Sequence, residues 1–173
     1  MEQSLGQRAV ERLESLSIKY EYFTHRAAAT MEICRELECA ADAKHCKNLF
    51  LTNRQGNKFY LVLTEADKKF YTKQLSGQLG ISRLSFAADE QLFEQLGLRP
   101  GAVTPLALVF REGMEPITVA VDDALLRHEH ILVHPCENTA SVKLKTEELL
   151  RFIRTVNGEE NLKFVALAGG DVP

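Results

Sequence analysis

At 173 residues, 45% hydrophobic and 26% charged, the chain suits one globular domain with a sizeable core. The net charge of −3 confines any polyanion contact to a local basic face, and no apolar run reaches membrane-spanning length. Residues 1–15 carry too many charges for a secretory signal, and Cys34, Cys39, Cys46 and Cys136 form no CxxC pair, so they read as free thiols of a reducing cytoplasm.

Ser4-Leu5-Gly6-Gln7 has capping-box form, and Leu5, Ala9, Leu13 and Leu16 recur at helical spacing, predicting a first helix over about 5–16. Ile18, Tyr20 and Tyr22 alternate with charged residues as in a half-buried strand. Thr30 is placed to cap a second helix bearing Ile33 and Leu37. The run His45-Cys46-Lys47-Asn48-Leu49-Phe50-Leu51 reads as a strand covered on both faces, with a lysine and an amide at its entrance. A turn at 53–57 and the run through Phe59, Leu61 and Leu63 complete a hairpin.

Tyr71 to Leu79 predicts a lysine-bearing helix ended by Gly80. Arg83–Phe86 is a short strand, and Asp89 can cap a helix holding Leu92, Phe93 and Leu96, with Gly97 at its end. Leu106–Phe110 and Ile117–Val121 suggest a second hairpin around Glu112-Gly113. Ile131–Val133 is a buried strand closed by His134-Pro135, with a partner strand over 140–144. Thr146 is placed to cap the last long helix, whose apolar face holds Leu149, Leu150, Ile153 and Val156. The chain divides into a domain over 1–157 and a tail over 158–173, with a possible strand at Phe164–Leu167. Hairpins interspersed with helices argue for one α+β domain around a mixed sheet.

Charge is unevenly spread. Residues 44–83 hold eight basic residues (Lys44, Lys47, Arg54, Lys58, Lys68, Lys69, Lys73 and Arg83) against Glu65 and Asp67. That surplus of six could face phosphates, or could be ordinary surface charge. Lys68, Lys69 and Lys73 are the candidate contacts to such a polyanion.

No nucleophile elbow, phosphate loop or dinucleotide fingerprint is present. His128, His130 and His134 share parity, but about 20 Å of extended strand would separate the first from the last, so no metal site is expected. His45 and Cys46 point to opposite faces as strand neighbours, which argues against a cysteine–histidine nucleophile. The tight loop Gly101-Ala102-Val103-Thr104-Pro105 offers backbone N–H groups for a small polar ligand or an oxyanion, or it is a plain strand-entry turn. Judged by spacing alone, Lys47 is better explained as a solvated lysine at a strand start than as a functional group.

The ordered set changes that balance. Lys47-Asn48-Leu49-Phe50-Leu51, Tyr60-Leu61-Val62, Arg83-Leu84-Ser85-Phe86-Ala87, Leu96-Gly97, the Gly101–Pro105 loop, and His134-Pro135 with Asn138-Thr139 fall in one familiar order over about residues 25–152. Together they resemble the YbaK-like, prolyl-tRNA synthetase-associated editing domains, of the free-standing Ala-tRNA(Pro) deacylase (ProXp-ala, or PrdX) type. The resemblance implies a mixed, mostly antiparallel, barrel-like sheet flanked by helices. It implies a cytoplasmic enzyme that hydrolyses alanine wrongly esterified to proline tRNA, without metal or other cofactor. The partners implied are tRNA(Pro) carrying alanine and, secondarily, prolyl-tRNA synthetase.

By that resemblance Lys47, Gly101 and His134 are the catalytic positions. Asn48, Ala102, Val103, Thr104, Pro105, Asn138 and Thr139 would bind the substrate, whose own 2′-hydroxyl assists water attack. The chain departs from the pattern at His25-Arg26, where His-Pro is common, and at Lys44, where glycine is common. Those departures keep open a deacylase for cysteine, serine or threonine on tRNA, and a non-catalytic sensing module is the alternative of another class.

Overall fold

The computed structural model describes residues 2–27 and 31–169, with Met31 described in its backbone alone. Thr30, the expected cap of the second helix, lies outside them. The first helix, α1 (Leu5–Ser15), begins as its sequence dictates: Ser4 accepts from Gln7 N–H at 3.2 Å while Gln7 accepts from Ser4 N–H at 3.0 Å. Strand β1 (Tyr20–Thr24) starts two residues later than the alternation suggests, and Ile18 drops into the core before it. Helix α2 is Met31–Ala41.

The hairpin forms as expected, with β2 (Lys44–Asn53) antiparallel to β3 (Phe59–Glu65) in unbroken register from Cys46↔Glu65 to Thr52↔Phe59. Helix α3 (Thr72–Leu79) ends on Gly80 at φ +69°, and α4 (Asp89–Leu96) ends on Gly97 at φ +71°, left-handed stops that suit glycine. Between them β4 (Leu84–Phe86) pairs with the far end of β2. The cap of α4 is Ala88, not Asp89; Gln91 secures Ala88 N–H at 2.8 Å, and Asp89 sits in the first turn, where a carboxylate favours the helix dipole.

The second hairpin is absent. Pro105–Arg111 winds into a 3-10 helix because Thr104 Oγ1 accepts from Leu106 N–H at 3.2 Å and proline sits at the first position. Pro105 to Leu108 are buried and Val109 and Phe110 half-buried, so the run shows no helical period and reads like a strand in sequence. Thr118–Asp122 is β5, parallel to β3. Strand β6 (His130–Val133) is antiparallel to β7 (Ala140–Lys145), which is antiparallel to β1. Helix α5 (Thr146–Asn157) is capped by Lys145, and Thr146 Oγ1 instead donates to His128 O at 2.5 Å. Within the segment expected as a tail, Leu162–Val165 forms β8, two residues earlier than expected, parallel to β5.

The result is an α+β domain whose mixed sheet runs β1-β7-β6-β2-β3-β5-β8, with β4 attached to β2. The sheet is an open path, so the barrel-like expectation gives way to a sheet whose two ends do not pair. One face packs Cys46, Phe50, Leu61, Leu63, Val119, Val121, Val133 and Val142 against α1, α5 and the 3-10 helix, forming the main core around Phe152. The opposite face carries a smaller cluster of Leu51, Tyr60, Val62, Ala120 and Val165 beneath Leu75 and Leu167.

Candidate active site

The site is a fork in the sheet. Strand β2 pairs with β6 in parallel only at Lys44↔Ile131 and His45↔Leu132, and then takes β4 as neighbour from Leu51 onward. Between those pairings one edge of β2 is open. Lys47 and His134 each lie two residues past the last paired positions, and strand parity puts both on the face of the smaller cluster. His45 shares that face, and its ring meets His134 edge to face, 5.6 Å between centroids.

Lys47 is half-buried, and its ammonium donates to the Lys68 carbonyl. Burial lowers its pKa from the ordinary lysine value, and Asp67 partly opposes that shift. The carbonyl occupies one donor of three, so the remaining N–H groups of the ammonium can meet a ligand. The carbonyl itself is immobilised, because the Lys68 side chain donates to Asp122 Oδ2 at 2.6 Å and to Leu167 O at 2.9 Å. Asp122 is 1% exposed and also accepts from Thr64 Oγ1 at 2.6 Å and Ala124 N–H at 3.2 Å. Burial alone would raise the Asp122 pKa, but these donors outweigh it and hold the carboxyl below its ordinary value.

His134 is buried, and its Nδ1 lies 3.0 Å from Ala140 O. A carbonyl only accepts, so Nδ1 carries the proton. Burial lowers the imidazole pKa, with the Ala140 bond opposing and His25 reinforcing the shift. In the neutral ring Nε2 is then an acceptor. His45 is held more firmly neutral, its pKa lowered to about 4 by burial first and then by His134, His25 and Lys44. Its Nδ1 is buried without a partner. His25 Nε2 lies 2.8 Å from Ser141 Oγ, and the His25 backbone N–H donates to Thr139 O at 2.9 Å, which ties β1 to the turn after His134.

The loop expected to grip the substrate reaches that same turn. Gly101 has φ +89°, which favours glycine, and a side-chain carbon there would lie 3.5 Å from Asn138 Nδ2. Ala102 N–H is used within the loop, donating to Arg99 O at 3.2 Å, so it is not an oxyanion donor. Val103 and Thr104 N–H find no protein acceptor among the described residues. Thr104 and Pro105 are buried and start the 3-10 helix, so their role is to hold the loop. Asn48 points to the opposite face from Lys47 and donates to Cys46 O at 3.2 Å, propping the open edge of β2.

Of the three lysines expected on tRNA, Lys68 has its ammonium committed to Asp122, whereas Lys69 and Lys73 are exposed. Lys44 is likewise spoken for, 3.4 Å from Glu38 and 3.2 Å from Asp67. Both thiols near the site are poor nucleophiles: burial pushes Cys46 far up and Cys136 up to about 12. The imidazoles of the 128–134 stretch diverge, His128 bonding Glu65 at 2.8 Å while His134 turns to Ala140 O. No three His, Cys, Asp or Glu side chains among the described residues are placed to share a metal.

His45, Thr64 and Asp122 were not foreseen. Parity would have found His45, since positions 45 and 47 of one strand share a face. Nothing local distinguishes Asp122 from Asp123.

The model of the aminoacyl-tRNA editing domain matches residues 25–152. The chain belongs to that family. It is an aminoacyl-tRNA deacylase by that membership. It is 31% identical over 154 residues to "Prolyl-tRNA editing protein ProX" of Acetoanaerobium sticklandii, covering 89% of this chain and 93% of that one. It is 31% identical over 148 residues to the bovine "Prolyl-tRNA synthetase associated domain-containing protein 1", covering 83% and 85%. Among solved structures, a candidate trans-editing enzyme for prolyl-tRNA synthetase superposes with TM-score 0.70 at 19% identity, over 98% of this chain and all of that one, which supports the fold. No helix among the described residues is long and apolar enough to cross a membrane.

Proposed function

We propose that the protein is a prolyl-tRNA editing enzyme acting in the cytoplasm, which hydrolyses the ester of Ala-tRNA(Pro) without a metal ion. The observation that carries this reading is the placement, on one face of the fork, of a half-buried ammonium, Lys47, and a neutral histidine, His134, where no activated protein nucleophile is at hand. Ester hydrolysis needs little more. As water attacks the carbonyl carbon, charge develops on the carbonyl oxygen, and Lys47 with the half-buried Val103 N–H supplies donors for it. His134 Nε2 accepts a hydrogen bond from a substrate hydroxyl or the attacking water, orienting it. The 2′-hydroxyl of the terminal ribose assists by hydrogen-bonding the attacking water and positioning it at the ester carbon. Gly101 lets the loop approach Asn138, and Asn138-Thr139 close the turn that carries His134.

Selection by size fits the same geometry. A synthetase pocket built for proline cannot strongly reject the smaller alanine, because each missing methylene is worth only about 1–3 kcal/mol. A second, rigid site that admits alanine and excludes proline completes a double sieve. The loop, fixed by Thr104 Oγ1 and Pro105, provides that rigidity.

The test is to incubate the protein with Ala-tRNA(Pro), Pro-tRNA(Pro) and Cys-tRNA(Pro) and follow ester loss, with and without EDTA. Rapid loss of alanine alone, unchanged by EDTA, is expected. Preferential loss of cysteine would reassign the substrate, EDTA sensitivity would remove the metal-free mechanism, and no turnover of any of the three would overturn the reading.

A further inference from the structure

Phe86 is 59% exposed, an unusual position for a phenylalanine beside an active site. Its place is set by register: it pairs with Leu51, on the face of the sheet that carries Lys47, Leu49 and Leu51. Leu51 lies four positions beyond Lys47 on β2, a distance of about 14 Å along the strand. The wall between them is the segment that follows β3. Its Lys68 carbonyl holds Lys47, and two residues later Phe70 meets Phe86 edge to face, 6.1 Å between centroids. Between these points stands Lys69, exposed, with its ammonium 5.5 Å from the centre of the Tyr71 ring. Lys73 and Arg83 are also exposed on the flanking elements. Phe70 is packed against the smaller cluster, so it braces Phe86 from one side and leaves the other open.

We infer that Phe86, braced by Phe70 and flanked by Lys69, is a stacking platform for an unpaired base of the single-stranded RNA end that carries the aminoacyl group. This deepens the proposed function and rests on it. Single-stranded RNA is held by aromatic faces combined with cations that follow the backbone, a combination tolerant of base identity. The fork must hold the ester at Lys47. The strand leading to it needs a path with both features within a short single-stranded run of Lys47, and this face of β2 supplies one. Exposure alone does not single out Phe86, since Phe93 and Phe164 are 55% and 44% exposed; what does is its place on the Lys47 face of the sheet, braced by Phe70.

The experiment measures binding of uncharged tRNA and of a short single-stranded RNA by the wild type, Phe86→Ala and Phe86→Trp, together with turnover of Ala-tRNA(Pro) and of alanyl-adenosine. Losing one stacked base should weaken RNA binding by about five-fold or more in Phe86→Ala and raise KM for Ala-tRNA(Pro) correspondingly, while Phe86→Trp keeps both. Alanyl-adenosine, which lacks the upstream bases, should be hydrolysed equally by all three. Wild-type RNA binding by Phe86→Ala would overturn the inference. So would an equal loss on alanyl-adenosine, which would mean that Phe86 acts through the shape of the fork. Because binding is read with uncharged RNA, a wild type that binds RNA but hydrolyses no ester would remove the proposed function and leave the stacking question answered.

Discussion

The two faces of β2 and β3 are built to different ends. On one, Cys46, Phe50, Leu61 and Leu63 enter a continuous core, and Phe50 stacks on Phe59 at 5.4 Å. On the other, Leu51, Tyr60 and Val62 start a thinner apolar layer that gives way, toward the fork, to Lys47, Thr64, Asp122 and Lys68. The first face fixes the register of the strand, since a slip by one residue would exchange the faces and bury Lys47 in the main core. The second face uses that register to aim one ammonium. The polar end of the thin face should therefore prove both structural and functional at Asp122, functional at Lys47, and electrostatic at its rim.

Asp122 should give the largest effect. Asp122→Ala removes the carboxylate 2.6 Å from the Lys68 ammonium, 14% exposed, and leaves it Glu65 at 3.9 Å and the Leu167 carbonyl. Breaking such a pair from one side costs about 3–5 kcal/mol. Thermal unfolding should show that loss, and kcat should fall with it, because the Lys68 carbonyl that holds Lys47 is no longer pinned. A fully stable Asp122→Ala would show that the polar end of this face is not a structural unit. Lys47→Ala should behave oppositely, lowering hydrolysis of Ala-tRNA(Pro) by about 10²–10³-fold, the range for loss of one oxyanion donor, with a nearly unchanged melting temperature. Near wild-type turnover by Lys47→Ala would sink the mechanism.

The histidines set a pH dependence whose direction follows from burial. His45 has a folded pKa of about 4 against an ordinary 6.5. Between those values the unfolded chain binds the proton and the folded one does not. Stability is therefore intact above pH 6.5 and declines as pH falls toward 4, by about 3 kcal/mol at 1.36 kcal/mol per unit. Asp122, held below its ordinary carboxylate value, adds a loss at still lower pH, since its contribution is present above the unfolded pKa and disappears as pH falls through the folded one. His45→Phe, which removes the group and its unpartnered Nδ1, should flatten the melting-temperature profile between pH 6.5 and 4. An unchanged slope would mean that another group carries the acid sensitivity.

Much of this was legible in sequence where a pattern is local. The capping box of α1, the β2–β3 hairpin and the glycine stops of α3 and α4 each follow from residues within one turn or one pair of strands. The run Leu106–Phe110 misled because burial on all sides erases periodicity, so a 3-10 helix and a core strand look alike; only Thr104 and Pro105 tip it. At the site, motif order led to Lys47 and His134. The resemblance could not show that Ala102 N–H is consumed inside its own loop, or that Asn48 faces away from Lys47. Those facts depend on hydrogen-bond direction and on strand parity. The Asp122–Lys68 pair was invisible because it joins residues 54 apart in the chain.

That pair also divides the three lysines that charge counting treats alike, and this gives the smallest but most discriminating prediction. Lys69 and Lys73 are exposed and free to meet phosphates, whereas the Lys68 ammonium already faces a carboxylate. Each phosphate contact removed should lower the salt slope of tRNA binding by roughly 0.7–0.9. Replacing Lys69 and Lys73 with Gln should therefore reduce that slope by about 1.5 while leaving the melting temperature within a degree or two. Lys68→Gln should do the reverse, sparing the slope and lowering the melting temperature, because it leaves Asp122 buried with one donor fewer. A salt slope that responds to Lys68 and not to its neighbours would place the RNA on the other side of this loop, and with it the path from Phe86 to Lys47.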